Sequence, residues 1–283
     1  MTISLSAKKL ILASEMKDIY NCFKPISIRD KTSFVLLLIL LLIASSCTNQ
    51  KKGLQLENAD VQRVLERAMD VAGGMQVYED IDSIIYQKKS ILYLEDGTVE
   101  SSVEQVHKYK LLPSITGEIT WNDSIGNHSI VYTDQSQYIT LNQNRVQGSE
   151  QRAKSSFLSS YFVLLMPFKI LDPGATLTYE GQRTLDSGVK VDVIKSTYDT
   201  EEYDNHSTND EWYFYFAVDS GKFVANAVYH EPTYAYIENN ETSSDHPIVV
   251  NLYRKSWRVD ENLNKEYLRG EFWYDQFRFT SKN

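Results

Sequence analysis

Few residues in this 283-residue chain have types and spacings that could do chemistry. It holds two cysteines, Cys22 and Cys47. Cys47 closes the stretch F-V-L-L-L-I-L-L-L-I-A-S-S-C, in which eleven apolar residues (34–44) are followed by two serines. Small residues there leave the backbone open to a peptidase, and the thiol is available for lipid attachment. Five histidines, His107, His128, His206, His230 and His246, stand singly, without H-E-x-x-H or His-x-His spacing. A zinc site would have to be assembled from distant strands, so no metal ligand is assigned. His107 lies on an apolar strand face and reads as a hydrogen-bonded core residue. The loop Asp199-Thr-Glu201-Glu202-Tyr-Asp204 gathers four carboxylates, with Asp210 and Glu211 nearby, but lacks the glycine-containing order of an EF-hand. It reads as a solvated acidic loop. No G-x-S-x-G or glycine-rich phosphate loop occurs, and no catalytic residue and no cofactor are assigned.

Length decides what the apolar run does. Eleven helical residues span roughly 16 Å, about half of a bilayer core near 30 Å. That is too short to anchor by spanning and suits the apolar part of a secretion signal. The run resembles a bacterial lipoprotein signal, with the lipobox at Ile43-Ala44-Ser45-Ser46-Cys47 and alanine where that motif prefers leucine. The resemblance implies removal of residues 1–46, diacylation of Cys47 and attachment to a lipid membrane through it. Met16 is an alternative start. Thr48, Asn49 and Gln50 bring no acidic run, which in such lipoproteins points to the outer membrane, facing the periplasm. Residues 47–58 are polar and aperiodic and read as a tether.

Of 29 Lys/Arg and 38 Asp/Glu, six and three fall in residues 1–46, leaving 23 against 35. A phosphate backbone would be repelled by that balance, so nucleic acid is excluded as a partner. With Cys22 removed and Cys47 acylated, no disulfide, catalytic thiol or cysteine metal site remains.

Residues 59–283 suit one β-rich domain. Val61, Val64, Leu65, Ala68, Met69 and Ala72 mark one face of a helix, capped by Asn58 or Asp60 and stopped by Gly73-Gly74. Alternation with period two follows, turned by Asp96-Gly97, and short polar links imply antiparallel neighbours. Over 149–168 the period is helical again: Phe157, Leu158, Tyr161, Phe162, Leu164 and Leu165 recur until Pro167. Strands resume at 176–182, 189–196, 212–218, 223–230, 248–259 and 266–279. Trp212, Phe214 and Phe216 share one face of their strand, and Tyr213 and Tyr215 the other, expected to meet solvent or a cavity. The total is about eleven strands with two or three helices.

That order resembles the LolA/LolB-type fold of periplasmic lipoprotein carriers and receptors. More narrowly, A-G-G at 72–74, P-F-K-I-L-D-P-G at 167–174 and Y-E-G at 179–181 resemble an uncharacterised family of bacterial lipoproteins with that fold. The resemblance implies an incomplete antiparallel β-barrel wrapped around helices and enclosing an apolar cavity. With 19 Tyr, 11 Phe and 4 Trp, the interior has aromatic side chains to line such a cavity. Trp121, Tyr161, Phe162, Leu165, Phe168, Trp212, Phe214 and Phe216 are the candidate lining. The expected function is non-catalytic binding of a lipid or acyl chain. An envelope interaction module with a self-filled barrel, its protein partner unknown, is the alternative, and a hydrolase ranks last.

Overall fold

A computed structural model describes residues 56, 58–204, 206 and 208–282. Residues 1–46, the tether up to residue 55 and Cys47 lie outside the described residues.

Helix α1 (Ala59–Val71) begins where the sequence places it: the Asn58 side chain accepts from the backbone N–H of Asp60 and Val61, at 3.0 and 3.2 Å. Its buried face is the one read from the spacing, with Val61, Val64, Leu65, Ala68 and Met69 inside. Gly73 ends it at φ +118°, and a Cβ there would lie 2.7 Å from the Pro247 carbonyl oxygen. Only glycine meets both conditions. The short helix α2 (Met75–Glu79) follows, and α3 (Glu150–Leu164) leads through Pro167 into a 3-10 turn, Phe168–Leu171.

The strands are β1 (Ile81–Tyr93), β2 (Val99–Lys110), β3 (Thr116–Asp123), β4 (Gly126–Tyr132), β5 (Gln137–Leu141), β6 (Asn144–Arg145), β7 (Ala175–Thr184), β8 (Lys190–Tyr198), β9 (Glu211–Ala217), β10 (Phe223–His230), β11 (Thr233–Ser243), β12 (Val250–Val259) and β13 (Lys265–Ser281). They form one antiparallel sheet in the order β6-β5-β4-β3-β2-β1-β13-β12-β11-β10-β9-β8-β7, open at β6 and β7. Among the described residues thirteen strands replace the expected number of about eleven. The two additions are β6, two residues long, and β11, whose E-N-N-E stretch is poor in strand formers but runs on from residues 233–238, which pair with β10 on one side, and lies along β12 on the other.

The curvature of this sheet follows from distances. Strands β4 and β9 stand eight places apart, ~38 Å if the sheet were flat at about 4.8 Å per strand. A single helix about 10 Å thick nevertheless touches both. On α3, Phe157 stacks on Tyr132 of β4 at 4.6 Å, while Phe162 meets Trp212 of β9 at 5.0 Å. The sheet therefore curls round α3 into an incomplete barrel.

Two cores flank that helix. Phe157, Tyr161 and Leu165 join Ile84, Tyr86, Tyr109 and Ile119 in one, and Phe162 and Met166 join α1, Ile194, Phe214 and Phe216 in the other. A third cluster lies on the outer face, where Tyr215 packs with Val191, Val193, Ala225, Ala227 and Tyr236. The second face of β9 was expected to meet solvent or a cavity. It is instead covered by apolar neighbours on β8, β10 and β11.

Candidate functional site

Alternation along the strands decides which side chains enter the space between α3 and the concave face. On β1 these are Ile84, Tyr86 and Lys88, and on β12 Val250, Leu252, Arg254 and Ser256. Between them and Ser159, Ser160 and Val163 of α3 lies a cavity of about 230 Å³. Its far wall is Trp212, Asn226 and Ile237, and Phe272 and Tyr274 complete it. Half of the lining residues, Tyr86, Val163, Trp212, Ile237, Phe272 and Tyr274, are apolar or aromatic. Among the described residues no carboxylate lines it.

The polar members are unusually placed. Arg254 is 3% exposed and Asn226 1%. Arg254 Nη2 donates to Asn226 Oδ1 at 2.7 Å, whereas Arg254 Nε and Asn226 Nδ2 have no hydrogen-bond partner among the described residues. Lys88 Nζ lies 5.1 Å from the centre of the Phe272 ring. A buried guanidinium ordinarily faces a carboxylate, because removing its charge from water costs several kcal/mol. Here it faces an amide and an open space.

Of the eight residues expected to line a cavity, Trp212 borders this one. Trp121 stacks on His128 at 4.7 Å and borders a larger groove of about 680 Å³, whose walls include Lys89, Glu104, Asn122 and Asp275. Tyr161, Leu165 and Phe168 are packed in the first core, and Phe162, Phe214 and Phe216 in the second. A further cavity of about 420 Å³ lies between the end of α1, Met166 and Pro167, and strands β10 to β12, with a mixed lining that includes Ala68, Phe223, Asn239 and Asn251. Arg254, Asn226 and Lys88 were not singled out from the sequence. The signal was present: Arg254 continues the inward alternation of Val250 and Leu252.

His107 and His206 are buried. His107 is fully buried, its Nδ1 3.0 Å from the Tyr109 hydroxyl and its ring stacked on Tyr86 at 4.6 Å. Burial, with the nearby Lys88 charge, holds its pKa well below the usual imidazole value. The folded chain thus keeps His107 neutral at pH values where the unfolded chain, titrating near about 6.5, binds a proton. Stability is therefore expected to fall as pH drops below about 6.5, by up to about 1.4 kcal/mol per pH unit from this group. Urea unfolding at about pH 7.5 and about pH 5.5 checks this. His107→Gln should show a shallower loss than the parent chain, and an unchanged loss would remove His107 as its source.

In the acidic loop, Asp199 Oδ1 accepts from the backbone N–H of Glu201 and Glu202, at 3.0 and 3.1 Å, and Asp204 pairs with Lys154. Among the described residues no three His, Cys, Asp or Glu side chains are grouped to hold a metal ion. The same loop carries His206, whose Nε2 lies 3.2 Å from Asp172 Oδ2. Lys169 Nζ reaches that oxygen at 2.5 Å and sits 4.5 Å from the centre of the Tyr161 ring. The P-F-K-I-L-D-P-G motif thus encodes a buried ion pair across the 3-10 turn, with His206 of the loop packed beside it. Among the described residues no helix is long and apolar enough to cross a membrane.

No family model matches the chain, and no curated protein does. Solved structures do. A DUF1329 family protein of Desulfovibrio piger matches with a TM-score of 0.50 and 11% identity, covering 77% of this chain and 92% of that one. A LolA superfamily protein of Nitrosomonas europaea matches with a TM-score of 0.50 and 8% identity, over 78% and 94% of the two chains. The fold is accordingly of the LolA type, the class defined by an incomplete antiparallel barrel around helices. At these identities the likeness concerns fold, and function has to be argued from the site.

Proposed function

We propose that this chain is a non-catalytic lipoprotein of the bacterial envelope that holds an acyl chain between α3 and the concave face of its sheet. The carrying observation is the cavity bounded by Val163, Trp212, Ile237, Phe272 and Tyr274 within a LolA-type barrel. A ligand there exchanges water for aromatic and aliphatic walls at about 0.8 kcal/mol per methylene. About ten methylenes reach the free energy of micromolar binding, near −8.2 kcal/mol. At about 230 Å³ the cavity is smaller than the 300–1,000 Å³ typical of drug-sized ligands, which favours one chain over several. Acylation of Cys47 anchors the protein in the outer membrane, facing the periplasm.

Native mass spectrometry of the purified full chain, with extraction of what it carries, is the test. A bound single-chain lipid is expected. Val163→Trp, which fills the cavity from α3, should reduce its occupancy at least about tenfold while leaving circular dichroism unchanged. A stoichiometric protein partner with no lipid would instead favour an interaction module. Radiolabelled palmitate appearing on the parent chain and not on Cys47→Ser would support the anchor.

A further inference from the structure

We infer that the ligand of this cavity is a single-chain amphiphile with an acidic head, a carboxylate or phosphate monoester, paired with Arg254. The inference rests on the acyl-chain reading above and adds the headgroup to it. Burial is the first reason. Arg254 lies 3% exposed, and among the described residues the lining supplies no carboxylate to oppose its charge.

Geometry is the second reason. A guanidinium is a planar fork with five N–H donors that matches the two oxygens of an acid group. Asn226 Oδ1 takes one donor, on Nη2, and Nε is left without a partner. The unpartnered Asn226 Nδ2 stands beside it as a further donor. Two neighbouring residues of the cavity wall, both nearly fully buried, thus hold donors without partners, beside the hydroxyls of Ser159, Ser160 and Ser256 and walls of rings and aliphatic groups. Lys88, held over the Phe272 ring, adds a second positive charge to the same walls. An alcohol or a sterol would leave the guanidinium without an opposing charge. A two-chain phospholipid would exceed the room available.

The experiment compares three ligands with one sixteen-carbon tail each: palmitate, monohexadecyl phosphate and hexadecanol. The delipidated full chain is titrated with each and read by native mass spectrometry. At least one acid is expected to bind about tenfold or more tighter than the alcohol, and the tighter acid identifies the source of the head. Arg254→Met should erase that preference, leaving the alcohol bound as well as before. Replacement of a buried cation by an apolar residue of similar size is commonly tolerated. As a second variant, Asn226→Asp places a carboxylate against the guanidinium without shortening any side chain, and it should also erase the preference. Equal binding of acid and alcohol by the parent chain, or a preference that survives both substitutions, overturns the headgroup assignment while the acyl-chain reading stands. Failure of all three ligands to bind overturns both.

Discussion

Replacing Asp172 by asparagine is expected to cost about 3–5 kcal/mol of folding stability, a large part of the 5–15 kcal/mol that holds a typical domain together. The side chain of Asp172 is 12% exposed and that of its partner Lys169 8%. Lys169 is held with its pKa below the ordinary lysine value, because burial outweighs the attraction of Asp172. Neutralising the carboxylate leaves an ammonium shut away from water, facing only the Tyr161 ring and a neutral amide. It also removes the carboxylate that lies 3.2 Å from His206 Nε2. The reciprocal change should be milder. Lys169→Met keeps the volume, removes the charge that needs compensation and leaves Asp172 beside His206, so a loss of less than half that of Asp172→Asn is expected. Chemical denaturation of the two variants checks the order. Equal losses, or a larger loss for Lys169→Met, would contradict this reading of the P-F-K-I-L-D-P-G motif.

Phe157→Ala is expected to cost a comparable 3–5 kcal/mol, by a different route. The ring is fully buried at the point where α3 is gripped by the first half of the sheet. It stacks flat on Tyr132 at 4.6 Å and meets Tyr109 edge-on at 5.0 Å. Gly117 on β3 makes room for it, since a Cβ there would lie 3.1 Å from the ring and 2.1 Å from the Lys108 carbonyl oxygen. Truncation opens a cavity that the curled sheet cannot close without breaking its register with β2. Val163→Trp, two turns along on the same helix, should leave the melting temperature within a few degrees, because that side chain faces space already present. Thermal unfolding of the two variants separates a packing position from a cavity position.

Much of the fold was legible because its signals are local. Asn58, the helical spacing of Val61 to Met69 and the two glycines define α1. Asp96-Gly97 defines the first hairpin, with Gly97 at φ +82° and Asp96 accepting from the Thr98 N–H at 2.8 Å. The central apolar helix was legible too, although its ring of apolar residues did not say what it faced. It is apolar on more than one side because it separates two cores. Apart from Trp121 on β3, the expected lining comes from that helix, the turn that follows it and β9. Six of the eight fill space against one another, as close packing favours for large rings. Strand β11 is not legible because Asn239 and Asn240 are poor strand formers, and its extended course is set by pairing of residues 233–238 with β10 and β12. Arg254 is a residue whose meaning depends on register. An arginine in an alternating strand reads as outward until the inward phase of Val250 and Leu252 is carried through it.

The central claim is that an acyl chain enters between α3 and the sheet. Crystals grown with a fatty acid brominated along its tail test this directly, because anomalous scattering locates the halogen without reference to the protein. The account predicts a bromine peak between Val163, Ile237 and Phe272, lost in Val163→Trp. A peak confined to the polar groove beside Lys89 and Asp275, or a cavity filled by protein side chains alone, would contradict it.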